Sequence, residues 1–127
     1  MRTFSRVLLA ITASPLVLWG CGDIIGLGDY GLSKAVDYVN ERAVFGKPIG
    51  SYQALQHPLA RSRAQLDAAR LMMYTAARIF DEGGDAGYYA NAAKLLASEA
   101  AVAAVDAAIQ SHGGYAFSDE YDVATIW

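Results

Sequence analysis

Leu55-Gln56-His57-Pro58-Leu59-Ala60-Arg61-Ser62-Arg63-Ala64-Gln65-Leu66-Asp67-Ala68-Ala69-Arg70-Leu71-Met72-Met73 opens a run that continues to Phe80. Leu55, Leu59, Ser62, Leu66, Ala69, Met73, Ala76 and Phe80 recur in alternating steps of four and three. An α-helix turns once in about 3.6 residues, so these steps keep one stripe of apolar and small side chains on one face. The spacing predicts a helix from Tyr52 to about Asp81, roughly 45 Å long at 1.5 Å per residue. Ser51 is its expected cap, and Pro58 is a candidate kink. A stripe of that length is the seam of a helical bundle and requires facing helices.

Those helices are found on both sides. Upstream, a first long helix is expected from near Leu16 to Glu41, with Ser14 as cap and Pro15 at a first-turn position. Phe45-Gly46-Lys47-Pro48-Ile49-Gly50 then breaks the pattern as a loop. Downstream, Gly83 and Gly84 stop the second helix and Asp85 is placed to cap a third, from about Tyr88 to His112, which ends at Gly113-Gly114. The third carries Ala on every side, which allows close approach and predicts heavy burial. Ser118 is the expected start of a fourth helix. No internal repeat and no alternation long enough to build a sheet is present, so the fold class is all-α: three long helices, nearly antiparallel, and the start of a fourth.

A chain of 127 residues, 54% of them hydrophobic, supports one domain with a single core, assigned here to residues 1–127. Its net charge of −3 comes from 13 acidic and 10 basic residues, and the basic ones are scattered, so a nucleic-acid partner is not expected. Cys21 alone cannot form an internal disulfide. Arg2 and Arg6 precede the apolar run Val7 to Trp19, and Leu18-Trp19-Gly20-Cys21 is similar to a bacterial lipoprotein cleavage box. Against export stand Pro15 within the run, bulky Trp19 beside the cut, and the continuation of periodic apolar residues through Ile24, Leu27, Ala35 and Tyr38. The favoured reading is a buried helix and a cytoplasmic protein, the alternative a small lipoprotein anchored through Cys21. Asp23 ends the apolar run before it is long enough for a membrane span.

Gly26-Leu27-Gly28-Asp29-Tyr30-Gly31 matches the GxGxxG pattern of dinucleotide-binding loops. That loop must follow a strand and open the helix of a βαβ unit, and no second strand follows here. Small residues on a helix, with Gly22 one turn earlier, are read instead as a close-packing face.

A second set of residues carries more. Tyr38-Val39-Asn40-Glu41-Arg42-Ala43-Val44-Phe45-Gly46-Lys47-Pro48-Ile49 is followed by Gln53 and Leu59-Ala60, then Ala69-Arg70-Leu71, Ala76-Ala77, Asp81-Glu82-Gly83, Ala93-Lys94, and Gln110-Ser111-His112-Gly113-Gly114-Tyr115. In this order and spacing the chain resembles the carboxy-terminal helical domain of the acyl-CoA dehydrogenase family, from about Val7 to Trp127. The shared pattern is an Arg-x-x-Phe-Gly loop, a Gln one turn into the next helix, and a later Gln-x-x-Gly-Gly.

The resemblance implies a four-helix bundle, FAD as cofactor, and contacts to FAD from Arg42, Ala43, Val44, Phe45, Tyr52, Gln53, Gln110, Gly113 and Gly114, often to a FAD held mainly by a neighbouring subunit. The chemistry of these residue types suits that role. Arg42 offers a planar fork of donors to a pyrophosphate. The helix start at Tyr52 and Gln53 offers free N–H groups and a positive dipole end. Phe45 offers an aromatic face to a flat ring. Gly113 and Gly114 let backbone approach a ligand, and Gln110 adds an amide. Each also has a plainer reading: Arg42 as an ion-pair partner, Gln53 as a solvated first-turn residue, Gly113-Gly114 as a helix stop.

The implied activity is α,β-dehydrogenation of an acyl-CoA thioester, in which a carboxylate takes the α-proton and the flavin accepts a hydride. Acyl-CoA oxidases and flavin monooxygenases share the fold. Residues 1 to 22 contain no Asp or Glu, and Glu41, Glu82, Glu99 and Glu120 read as helix-end, loop or surface charges, so no catalytic residue is assigned. The family's preceding helical and β domains have no counterpart in the 127 residues. The expectation is a fragment that is inactive alone, belongs to a homo-oligomer of a family often tetrameric, and takes acyl-CoA only in the full-length context. A non-catalytic interaction bundle is the other alternative. His57 and His112 have no ligand spacing, and no metal site is expected.

Overall fold

The computed structural model describes residues 15–126, with side chains from residue 20 onward. Among them are three long helices: α1 (Pro15–Glu41), α2 (Gln53–Asp81) and α3 (Gly87–His112). Two-residue strands β1 (Ala43–Val44) and β2 (Lys47–Pro48) pair antiparallel between α1 and α2, with Ala43 opposite Pro48 and Val44 opposite Lys47. Short 3₁₀ segments follow at Ile49–Ser51, Gly113–Phe117 and Asp122–Ile126. Consecutive helices run antiparallel, as expected, which leaves α1 and α3 parallel neighbours. Gly28 meets Ala101 and Gly31 meets Val105, so the two advance together, whereas Ser62 of α2 reaches Ala103 near the level of Gly28.

The core is one cluster drawn from all three helices. On α1 Cys21, Ile25, Gly28, Leu32, Ala35 and Val39 are buried, again in steps of four and three, with Gly31 buried beside them. Ile24, Leu27 and Tyr38 lie one position off this stripe, and Leu27 is 42% exposed. On α2, Leu59, Ser62, Leu66, Ala69 and Ala76 are buried and Leu55 and Met73 half-buried. Phe80, expected to close the seam, is exposed because it sits in the last turn beyond the core. α3 buries twelve residues, eight of them alanine, which is why it fits between two neighbours. Val105, Ile109, Ala116 and Val123 form a smaller cluster under the carboxy-terminal segment.

Gly26 to Gly31 lie inside α1; of the small-residue face only Gly28 and Gly31 pack closely, while Gly22 and Gly26 face open space and Leu27 is exposed. A Cβ on Gly28 would stand 2.7 Å from Leu66 Cδ2 and 3.1 Å from Ala101 Cα. Asp29 accepts from Arg63 at 3.2 Å and from Arg70, and both arginines also bind Asp67, at 2.7 and 2.6 Å. Tyr30 Oη donates to Asp122.

Three local expectations are corrected. Ser51 does not cap α2: its hydroxyl donates to Pro48 O at 2.8 Å, and Tyr52 occupies the cap position without a side-chain bond. Asp85 accepts from Gly87 N at 3.0 Å, while Ala86 stands at the cap position of α3. Ser118 starts no α-helix. Its Oγ accepts from Glu120 N at 3.2 Å, and the chain resumes as 3₁₀ only at Asp122. Helix α2 runs unbroken through Pro58, which lies near its first turns. Ser14 lies outside the described residues.

Candidate functional site

The up-down-up order brings the end of α1, the β1–β2 hairpin, the start of α2 and the end of α3 to one end of the bundle. Val39 O and Gly50 confirm the first approach: a Cβ on Gly50 would stand 3.1 Å from that oxygen. All nine candidate residues lie at this end.

The hairpin begins where α1 stops. Arg42 N donates to Tyr38 O at 2.8 Å, and Ile49 N donates to Arg42 O at 2.8 Å, so the Arg42 backbone is held on both sides. The tip is Phe45-Gly46, with φ of 55° and 81°. Two successive positive φ values give the turn whose twist suits a tight hairpin. Glycine adopts it freely, but for a bulky residue such as phenylalanine it costs on the order of 1–3 kcal/mol. Phe45 is nonetheless 94% exposed, so intramolecular packing does not repay that cost.

Around the hairpin, the Arg42 guanidinium lies over the Tyr115 ring at 5.5 Å. Lys47 Nζ lies over the Tyr52 ring at 4.3 Å. At the α2 start, Leu55 N and Gln56 N reach Tyr52 O, at 3.0 and 3.1 Å. Gln53 and Ala54 precede these first donors, so their N–H groups are among those a helix start leaves to other partners. Gln53 is exposed.

At the end of α3, Gly113 has φ 59°, a conformation unfavourable to side chains, and Gly114 has open space where a Cβ would stand. Gln110 lies on a different wall. It lines a groove of about 430 Å³ between α2 and α3, together with Leu55, Pro58, Arg61, Ala107 and Ser111. Arg42 and the Gly113–Gly114 turn are thus joined through Tyr115, while Gln110, whose carbonyl accepts from Gly113 N, also lines the groove between α2 and α3.

Sequence reasoning missed an aromatic group behind this edge. Tyr38 stacks on His112 with ring centres 4.3 Å apart, and Tyr121 packs edge-on against Tyr38, His112 and Tyr115 at 5.5, 5.2 and 6.1 Å. His112 is 4% exposed, and its Nδ1 is 2.8 Å from Ala108 O, which makes that nitrogen the donor. Beside the group opens a cavity of about 380 Å³ lined by Asp37, Glu41, Asp119, Glu120 and Asp122. The Asp122 carboxyl is held below the usual carboxylate range, first by the Tyr30 hydrogen bond and then by Lys34, against the cost of desolvation. Among the described residues no three His, Cys, Asp or Glu side chains converge as metal ligands.

The sequence pattern of the acyl-CoA dehydrogenase C-terminal domain matches residues 20–127, nearly the whole described chain. The chain belongs to the acyl-CoA dehydrogenase family. An acyl-CoA dehydrogenase of Mycobacterium tuberculosis is 43% identical over 115 residues, which cover 89% of this chain and 30% of that protein. Butyryl-CoA dehydrogenase of Megasphaera elsdenii superposes with a TM-score of 0.83 at 34% identity, over 87% of this chain and 29% of that one. A structure of PigA with FAD and proline superposes with a TM-score of 0.80 at 32% identity, over 87% of this chain and 30% of that one. The chain therefore spans less than a third of the length of these relatives, and corresponds to the family's C-terminal helical domain. No helix among the described residues is long and apolar enough to cross a membrane.

Proposed function

We propose that this domain forms one edge of a FAD site in an acyl-CoA dehydrogenase-like oxidoreductase. Arg42, Ala43, Val44, Phe45, Tyr52, Gln53, Gln110, Gly113 and Gly114 face the cofactor, and the domain contributes to a homo-oligomer interface. The observation that carries this reading is Phe45: an exposed aromatic ring in a costly backbone conformation, at the tip of a hairpin whose base is Arg42. Strain persisting without packing to repay it points to a ligand or partner as its reason.

The residues present fit the cofactor. Arg42 and the amides at the start of α2 suit the pyrophosphate. Phe45 suits a flat ring, and the backbone at Gly113–Gly114 suits close approach. When bound, FAD supplies the hydride acceptor for oxidation of an acyl-CoA thioester at its α and β carbons. The domain's own part is to bind and orient, with no side chain here assigned to proton transfer.

The test is an exchange. Residues 20–127 replace the matching stretch of the Megasphaera elsdenii enzyme, and flavin retention after gel filtration is read from visible absorbance. The exchanged enzyme is expected to keep FAD. Arg42→Ala removes a charge-assisted contact, a loss of about 1.5–3 kcal/mol, or roughly 10- to 150-fold in affinity. Retention unchanged by Arg42→Ala would sink the assignment.

A further inference from the structure

We infer that Tyr121 is a positioning residue for Arg42, acting through Tyr115, and that the aromatic group it centres holds the two halves of the flavin edge in register. The inference rests on the flavin-edge reading and adds residues to it. Arg42 reaches the hairpin side of the edge and the Gly113–Gly114 turn forms the other side. They come from segments about seventy residues apart in sequence. A closed circuit joins them. Tyr38 O accepts from Arg42 N, the Tyr38 ring stacks on His112, and His112 directly precedes Gly113. Tyr121 packs on Tyr38, His112 and Tyr115, and Tyr115 lies under the Arg42 guanidinium.

Among these rings Tyr121 is the one packed against three others, and it is half-buried. Its contacts are all made by the ring, so Tyr121→Phe keeps them and Tyr121→Ala removes them together. Without Tyr121 the Tyr115 ring loses its backing, and Arg42 loses the surface that limits its rotamers. An exposed Arg–aromatic contact shifts affinity by about two- to five-fold, less than deletion of the guanidinium itself.

The experiment uses the exchanged enzyme carrying residues 20–127 of this chain. Its flavin is removed, FAD is titrated back, and affinity is read from visible absorbance. Tyr121→Ala is expected to weaken FAD about two- to five-fold, Tyr121→Phe to match the parent, and Tyr121→Ala in an Arg42→Ala background to add nothing. A purely structural role would instead give losses that multiply in the double variant, and that result overturns the inference. So does an unchanged affinity in Tyr121→Ala beside a loss in Arg42→Ala. Loss of FAD from the parent exchanged enzyme, or no loss in Arg42→Ala, overturns the flavin-edge reading and the inference with it.

Discussion

Gly26 and Gly28 sit two residues apart on one helix, yet the same substitution is expected to act on them with opposite sign. Replacing a helix-interior glycine with alanine gains about 0.5–1 kcal/mol from backbone entropy. Gly26 has nothing within 4 Å of where a Cβ would stand, so Gly26→Ala should realise that gain in full. At Gly28 the new methyl would stand 2.7 Å from Leu66 Cδ2 and 3.1 Å from the Ala101 backbone. Leu66 is fully buried, and Ala101 belongs to α3, so relief requires moving α1 away from both neighbours. Overpacking of this kind costs about 1–3 kcal/mol. Gly28→Ala should therefore fall below Gly26→Ala by that same amount, since the entropic gain cancels between the two. At about 3–5 °C per kcal/mol for a chain of this size, the gap is large enough for thermal or urea unfolding followed by circular dichroism. A Gly28→Ala chain as stable as Gly26→Ala would refute the close approach of α1 to α2 and α3.

Cys21 lies in the core, and burial pushes its thiol pKa up, so the native chain should react with a maleimide far more slowly than the unfolded chain; equal rates would place the residue at the surface. Tyr30→Phe should let the Asp122 pKa rise toward its ordinary value in a carboxyl NMR titration. Because that pKa is lowered on folding, any stability it brings is fully present above the unfolded value and lost as pH falls through the folded one. The exposed apolar residues Leu27, Leu95 and Val102 predict self-association at micromolar concentration, which light scattering would contradict by finding a monomer.

The ends of the three helices at Glu41, Asp81 and His112 were legible because glycine or a change of period follows each of them. The starts were placed to within about a residue, at Pro15, Gln53 and Gly87, but the caps of the second and third were not. Ser51 and Ser118 have the right chemistry for caps, but a hydroxyl bonds whichever partner is nearest, and neither position leads straight into an α-helix. The stripe on α2 was readable residue by residue except Phe80, whose exposure depends on where the neighbouring helices end. Within the ion network, Arg63, Asp67 and Arg70 have the spacing of helical neighbours, while Asp29 belongs to another helix. For the candidate site, Arg42, Phe45 and the glycine pair stood out by residue type and order. The aromatic group did not, because Tyr38 and Tyr121 meet only through the parallel placement of α1 and α3, which no local pattern encodes.

That parallel placement also bears on how the chain acquires its shape. α2 and α3 are joined by a short turn at residues 82–86 and close as a local hairpin, a low-entropy step that rewards neighbours in sequence. α1 shares its larger interface with α3, not with α2, which follows it. Its apolar stripe therefore stays largely uncovered until α3 has been synthesised and has folded back. Within this domain α1 is made before α2 and α3 but fully docked only after both, and while it waits its exposed apolar stripe is open to aggregation.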